Sequence, residues 1–190
     1  MRNGLMQAWR PMLAMTVLIV ASNFLVQFPI DVGAVLGLPL LITYGAFTYP
    51  ATFLTTDLTN RRYGPQGARR VVYIGFACGV VLSVLFATPR IAIASGTAFL
   101  VAQLLDVTVF NRLRRQSWWQ APLFASLLGS VVDTGVFFSL AFAGTPVPWH
   151  LLAASDLAVK LAYALFALIP YRVYMSVVRP AWAEPRPAVA

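Results

Sequence analysis

The stretch RIAIASGTAFLVAQLLDVTVFNRLRR, residues 90–115, decides the fold because it has the length and composition of one membrane-spanning helix. Arg90 and Arg112 lie 22 residues apart, which in a helix is about 33 Å and close to the thickness of a bilayer's hydrocarbon layer. The one charged residue between them is Asp106. An ionised group at that depth costs about 2.5–3.5 kcal/mol, so it normally has a partner or a function.

Composition extends this prediction to the whole chain. The sequence is 59% hydrophobic and 11% charged, with a mean hydropathy of +0.75, whereas a soluble domain carries about 25% charged residues. The 190 residues allow about six spans of roughly 20 residues and leave no room for a second domain. We therefore predict one transmembrane domain over residues 1–178. Residues 179–190 form a Pro-rich tail that we expect to be disordered.

The fold class predicted is an all-α integral membrane protein, a compact bundle of six transmembrane helices. The predicted spans cover residues 11–30, 42–62, 71–88, 90–112, 121–142 and 151–175. Residues 31–41 are apolar but interrupted by Gly33, Gly37 and Pro39, so they are too short and too broken to span. We expect them to form an extended or re-entrant outer segment.

The distribution of basic residues predicts the orientation. With the N-terminus inside, every one of the 14 basic residues except Arg90 and Lys160 falls in a cytoplasmic segment. These residues are Arg2, Arg10, Arg61, Arg62, Arg69, Arg70, Arg112, Arg114, Arg115, Arg172, Arg179 and Arg186. The positive-inside rule then predicts a multi-pass protein of the inner (cytoplasmic) membrane with both termini cytoplasmic. The net charge of +8 is explained by topology, so no nucleic-acid partner is expected.

Four acids and one lysine lie within the predicted spans: Asp57, Asp106, Asp133, Asp156 and Lys160. Facing lipid, they would together cost more than about 10 kcal/mol, so they must face the interior of the bundle. Two of the acids have a basic residue at i+4, Arg61 for Asp57 and Lys160 for Asp156, which leaves open that these are local ion pairs. Asp106 and Asp133 have none at i±3 or i±4.

The fourth span carries a candidate binding face. Gln103 and Asp106 are three residues apart and share one side of the helix, with Phe99 one turn away. A carboxylate, an amide and an aromatic ring suit a planar heterocycle with two adjacent N–H donors and a carbonyl. In the first span, Asn23 and Gln27 are four residues apart. Their amides either make interhelical hydrogen bonds or line a polar cavity.

The sequence contains few residues suited to disulfide formation, metal binding or catalysis. Cys78 and His150 are the single cysteine and the single histidine, so the sequence offers no disulfide, no metal site and no cofactor site. No Walker-type loop is present, and we predict that the chain is not an enzyme. Gly75 and Gly79 form a GxxxG spacing in the third span. This spacing permits close helix packing either within one subunit or between two.

Three stretches carry a family resemblance: TFLTTDLTNRRYG at 52–64, the segment at 90–115, and WWQAPLFASLLGSVVDTGVFFSLAF at 118–142. They resemble the bacterial queuosine-precursor transporter family, also called the VUT or vitamin-uptake family. The LLDVTVFNRLRR and SVVDTGVFF segments are the most specific. The positions that match the family's motifs are Asp57, Arg61, Arg90, Gln103, Asp106, Asn111, Trp119, Asp133 and Lys160.

The resemblance implies an inner-membrane importer of 7-cyano-7-deazaguanine or 7-aminomethyl-7-deazaguanine, which are precursors for queuosine in tRNA. We expect substrate binding by Gln103, Asp106, Asp133, Phe99, Asn23 and Gln27. Gating or charge compensation is expected from Asp57, Arg61, Arg90, Asp156 and Lys160. The alternative is a substrate-binding membrane component, for a vitamin or nucleobase, of an ATPase-driven importer. The expected partners are this substrate and the lipid bilayer, and the length fits a monomer or a homodimer.

Overall fold

The structure is a computed structural model that describes residues 9–31 and 41–180. The predicted tail from residue 181 onward lies outside these ranges, as do the N-terminal Arg2 and the interior of the broken apolar segment, residues 32–40. In chain order the elements are α1 (Trp9–Leu25), β1 (Pro29–Asp31), β2 (Leu41–Thr43), α2 (Tyr44–Thr48), α3 (Ala51–Phe86), α4 (Pro89–Leu113), α5 (Gln120–Phe142), α6 (Trp149–Phe166) and α7 (Leu168–Val177).

Within the described residues the fold is mostly helical, but it is not all-α as predicted. The strands β1 and β2 pair antiparallel, with Pro29 opposite Thr43 and Ile30 opposite Ile42. The pairing continues into the next residue, where the backbone N–H of Tyr44 donates to the carbonyl of Phe28 at 3.1 Å. A non-helical segment beside a membrane must satisfy its backbone polar groups within the protein, and strand pairing does so.

The helix α1 is shorter than the predicted first span, because it ends at Leu25 rather than near residue 30. The backbone N–H groups of Gln27 and Phe28 donate to the carbonyls of Phe24 and Leu25, which closes a turn before β1. Gln27 is therefore exposed in this turn and does not share a helical face with Asn23. The next strand begins at Pro29, a residue that cannot continue a helix from the preceding turn.

The long helix α3 is interrupted at Gly64, which has a φ of 74° and a ψ of 178°. Such a conformation favours glycine, and the following Pro65 has the fixed φ and missing N–H that suit the first turn of a new helix. We call residues 51–63 the first arm and residues 65–86 the second arm. The predicted spans 42–62 and 71–88 left a connection between them, but in the structure the only interruption is Gly64, since Pro65 onward is helical.

The two arms of α3 run in opposite directions beside α4. Tyr49, which precedes the first arm, contacts Phe99, and Asn60, near the end of that arm, contacts Val107. Along the second arm the order is reversed, because Gly75 lies against Phe99 and Val80 lies against the earlier residue Gly96. The chain therefore turns back on itself at Gly64.

A tight apolar contact joins α1 to the second arm of α3. Met15 and Ile19 are buried against Gly75, where an added Cβ would lie 2.7 Å from Met15 Cγ and 2.9 Å from Ile19 Cδ1. The GxxxG spacing of Gly75 and Gly79 is therefore used for packing inside one chain, and it gives no support to a homodimer interface.

Four segments are long and apolar enough to cross a membrane: Tyr44–Phe86, Pro89–Leu113, Gln120–Phe142 and Trp149–Val177. The apolar helix Trp9–Leu25 is shorter. Large hydrophobic side chains such as Phe86 and Val84 are more than 70% exposed on the outside of the bundle, as expected for surfaces that face lipid rather than water. The coarse prediction of a multi-helix membrane protein is confirmed for the described residues.

The ends of the bundle can be named from contacts. At one end, which we call the Gly64 end, a cavity brings Arg10 of α1, Arg62 of the first arm and Val177 of α7 together. At the other end, which we call the Thr88 end, Arg90 of α4 binds the last carbonyls of α5. Thr88 accepts a hydrogen bond from the backbone N–H of Ile91 and so caps α4.

Candidate functional site

Buried polar side chains run through the middle of the bundle. They come from the first arm of α3 and from the faces of α4, α5 and α6 that meet it. The set comprises Thr52, Thr56, Asp57, Asn60, Arg61, Gln103, Asp106, Ser126, Asp133, Thr134 and Lys160, each less than 9% exposed. A polar interior inside an apolar shell is the arrangement expected of a solute path rather than of a packing core.

Nearest the Thr88 end lies a group of side chains around Lys160, which we call the lysine cluster. The Lys160 ammonium lies 2.7 Å from Asp133 Oδ2 and 2.5 Å from Asp156 Oδ2. It also donates to Thr134 Oγ1 at 3.1 Å, and Thr134 in turn donates to Asp156 Oδ2 at 2.7 Å. The cluster joins α5 to α6 with two carboxylates and one ammonium. The i, i+4 pair of Asp156 and Lys160, left open by the sequence, is confirmed.

Tyr49 closes the lysine cluster from a third side. Its hydroxyl donates to Asp133 Oδ1 at 2.8 Å, and the Lys160 ammonium lies 5.3 Å from the centre of its ring. The ring also meets Phe53 and Phe99 edge-on, at centroid distances of 6.4 Å and 6.5 Å. Phe99 thus packs against Tyr49 of the chain itself, and its stacking on a substrate ring stays a prediction.

Gln103 lies in the middle of the polar interior and is fully engaged. Its Nε2 donates to Thr52 Oγ1 at 2.9 Å, and its Oε1 accepts from Thr56 Oγ1 at 2.6 Å. The two threonines are one turn apart on the first arm, so the amide bridges them side by side. This amide fixes the register of α4 against the first arm.

Toward the Gly64 end lie Asp57 and Asp106, which we call the carboxyl pair. Both are at most 1% exposed, and each carboxyl is a direct electrostatic neighbour of the other. Ser126 donates to Asp57 Oδ2 at 3.2 Å. Asp57 Oδ1 and both oxygens of Asp106 have no hydrogen-bond partner among the described residues, and neither does Asn60 Oδ1. Buried acceptors without donors are rare in folded proteins and mark places where a ligand, a proton or water belongs.

Arg61 lies one turn beyond Asp57 and is only 8% exposed. Its guanidinium carbon is 5.9 Å from the centre of the Tyr171 ring, and that ring meets Phe110 edge-on at 6.2 Å. The stacked guanidinium and rings close the polar interior at the Gly64 end.

Arg90, predicted as a gating residue, lies apart from the polar interior. Its Nε donates to the carbonyl of Leu140 at 2.9 Å, and its terminal nitrogen donates to that of Ala143 at 2.5 Å. These carbonyls belong to the last turn of α5 and to the residue that follows it, where a cation also complements the helix dipole. The structure therefore gives Arg90 a capping contact.

Two cavities flank the polar interior. A small one of about 20 Å³ near the Thr88 end is lined by Asn23, Tyr49 and Phe99, among others. A larger one of about 490 Å³ at the Gly64 end is lined by Arg10, Arg62, Tyr63 and Tyr174 together with apolar side chains. Asn23 Nδ2 donates to the carbonyl of Ile19 within its own helix, so its oxygen is the group it offers to the small cavity.

Several residues of the interior were not singled out by the sequence: Tyr49, Thr52, Thr56, Asn60, Ser126, Thr134 and Tyr171. The threonines at 52, 56 and 59 repeat at i, i+4 and i, i+3 along one face with Asn60 beside them, and all four are buried. That spacing was a usable signal. Tyr49 offered none, since its partner Asp133 is 84 residues away. Among the described residues there is no group of three His, Cys, Asp or Glu side chains placed to hold a metal ion.

Comparisons of the sequence with known proteins identify its relatives. The profile of the family described as "Putative vitamin uptake transporter" matches residues 43–88 and 83–175. A "Probable queuosine precursor transporter" of Haemophilus influenzae is 36% identical, covering 85% of this chain and 83% of that protein. The "Queuosine precursor transporter" of Escherichia coli is 34% identical, covering 80% and 78%. One of Bacillus subtilis, named probable, is 30% identical over 70% of each. No solved structure gives a significant match.

Proposed function

The chain belongs to the vitamin uptake transporter family, and from that premise we propose that it imports queuosine precursors, the 7-deazaguanines used in tRNA modification. The observation that carries this proposal is the buried polar interior inside an apolar bundle, with oxygens of Asp57 and Asp106 that accept no hydrogen bond from any other side chain in the described part of the chain. Membership in a family of transporters, rather than enzymes, supports the same conclusion.

We place the base at Asp106. A 7-deazaguanine presents a ring N–H and an exocyclic amine on one edge, and a carboxylate can accept from both. Asp106 has two acceptor oxygens open to such donors, whereas Asp133 is already bonded to Tyr49 and Lys160. Gln103, three residues earlier, would have to exchange its bond with Thr56 to answer the substrate carbonyl.

The aromatic pair of Tyr49 and Phe99 lines the small cavity. We propose that this pair opens for substrate entry and that the Asn23 amide contacts the base on the way in. Asp133 then joins the binding site when Lys160 turns wholly to Asp156. Binding by Gln27 stays a prediction, since this residue is exposed beyond the end of α1.

The topology we propose has six spans, with both termini on the cytoplasmic side of the inner membrane. The reversal at Gly64 divides the long segment Tyr44–Phe86 into two passes, and the ends of α1 and α7 meet at the Gly64 end. That end also carries Arg10, Arg62 and Arg112, as the positive-inside rule requires.

Labelling of single cysteines tests the topology. In a Cys78→Ser background, Gln116→Cys lies between α4 and α5 and Pro146→Cys lies between α5 and α6, both at exposed positions. An impermeant maleimide added to intact spheroplasts should label Pro146→Cys and reach Gln116→Cys only after lysis. The reverse pattern would overturn the orientation.

Uptake tests the function. In cells unable to make 7-deazaguanines, expression of this chain should restore queuosine in tRNA when external precursor is supplied. Asp106→Asn should abolish the rescue, while Thr108→Ala on the exposed face of the same helix should leave it unchanged. Equal rescue by Asp106→Asn at matched membrane abundance would reject the assignment of the base to Asp106. Uptake by the purified chain in proteoliposomes would show that no ATPase partner is needed.

A further inference from the structure

The carboxyl pair is held in place by contacts on both sides. The bond from Thr56 to Gln103 precedes it along the first arm, and the bond from Asn60 Nδ2 to the carbonyl of Val107, 3.1 Å long, follows it. Asp57 and Asp106 therefore face each other across the interface of the first arm and α4, and neither can turn toward water without breaking this interface.

Hydrogen bonds from the rest of the described chain leave most of the pair's oxygens unengaged. Ser126 of α5 gives one hydrogen bond to Asp57. Within residues 9–31 and 41–180, three carboxyl oxygens of the pair and the oxygen of Asn60, a residue with no exposed surface, have no donor. Four buried acceptors at one place require a positively charged or proton-bearing occupant, since each unsatisfied group costs about 1–3 kcal/mol.

The charges near the pair do not balance if both acids are ionised. Lys160 is committed to Asp133 and Asp156 in the lysine cluster. Arg61 is the cation nearest the pair along the first arm and stacks on Tyr171 of α7. One guanidinium can balance one carboxylate, which leaves a second buried anion beside the first. Two adjacent carboxyl groups in an apolar site avoid this cost by sharing one proton.

We propose that Asp57 and Asp106 together hold one proton that crosses the membrane with the substrate, so that the chain is a proton symporter. The inference rests on the proposed function. Loading adds a proton from the outer side to one carboxylate of the pair and forms one O–H bond; release to the cytoplasm breaks that bond and returns the proton to water. With the proton on Asp57, Asp106 is free as a carboxylate to accept the N–H donors of the base. Proton and base thus favour each other's binding.

Reconstituted protein separates the two ideas. Counterflow, in which unlabelled 7-deazaguanine inside the vesicle exchanges for labelled substrate outside, needs a carrier but no ion gradient. Accumulation of substrate against its own concentration gradient needs coupling to the movement of an ion. With one proton carried per substrate, wild-type vesicles one pH unit more alkaline inside than outside should accumulate labelled substrate up to about tenfold over vesicles without a gradient, and a protonophore should remove the difference.

Asp57→Asn identifies the pair as the proton site. The counterflow that remains in this variant should no longer respond to the pH gradient, while Thr108→Ala should keep both counterflow and the response. Accumulation driven by a sodium gradient instead, or an undiminished pH response in Asp57→Asn, would overturn proton coupling through this pair. A wild-type protein that shows counterflow but no response to pH would do the same without reference to any variant. Absence of counterflow in the wild type would instead reject the proposed function.

Discussion

The ammonium of Lys160 lies 2.7 Å from Asp133 Oδ2, and the two side chains, each 5% exposed, join α6 to α5 across 27 residues of chain. Asp156 contacts the same ammonium, so one cation serves two carboxylates. The charged members of the cluster therefore differ in the effect of their removal. Loss of the cation leaves two uncompensated acids, whereas loss of one acid leaves one acid paired with one cation.

This difference predicts which of two substitutions lowers the stability more. Lys160→Met should destabilise the protein by about 3–5 kcal/mol, because breaking a buried ion pair from one side strands the partner charge. Asp133→Asn should cost much less, since Lys160 keeps Asp156. Thermal unfolding in detergent measures both. A larger loss for Asp133→Asn than for Lys160→Met would contradict the charge balance described for this cluster.

The hydroxyl of Tyr49 can be tested apart from its ring. Tyr49→Phe removes the 2.8 Å bond to Asp133 but keeps the edge contacts with Phe53 and Phe99. A hydrogen bond to a carboxylate in this setting is worth about 1–2 kcal/mol, so we expect a lower Tm and faster opening of the entry side. Tyr44→Phe, at a tyrosine that is 52% exposed, is the matched control and should change neither.

Gly75 and Gly79 differ in the space available to a methyl group. Gly75→Ala would place a Cβ 2.7 Å from Met15 Cγ, whereas the nearest atom at Gly79 is Ile19 Cγ2 at 3.8 Å. Overpacking costs about 1–3 kcal/mol, and alanine in a helix gains up to about 1 kcal/mol over glycine. Gly75→Ala should thus lower the Tm and Gly79→Ala should hold or raise it. Equal shifts would show that α1 does not pack on Gly75 this closely.

Arg90 is expected to act on stability rather than on substrate recognition. Arg90→Ala removes both bonds to the C-terminal carbonyls of α5 and should cost about 0.3–1 kcal/mol, while Arg90→Lys should restore part of this loss. Substrate affinity measured by counterflow should be unchanged in both variants. A changed affinity with an unchanged Tm would return Arg90 to the gating role predicted from the sequence.

Much of the polar interior could be predicted from single positions. Asp57, Asp106, Asp133 and Lys160 were expected to face inward because of the cost of charge in lipid, and each is less than 9% exposed. The Asp156–Lys160 pair followed from helical spacing. The hydrogen bonds of Gln103 with Thr52 and Thr56 could not be predicted from the sequence, because they depend on how α4 is rotated against the first arm.

By itself, the sequence determined that the chain lies in a membrane, where its apolar segments fall, and which charges must be buried, because transfer free energy and helical period are properties of local composition. The tertiary structure decided the rest: the reversal at Gly64, the Asp133–Lys160 bridge and the facing of Asp57 and Asp106. These depend on the register and rotation of helices distant in sequence. Close packing at positions such as Gly75 sets that register, and no local pattern encodes it.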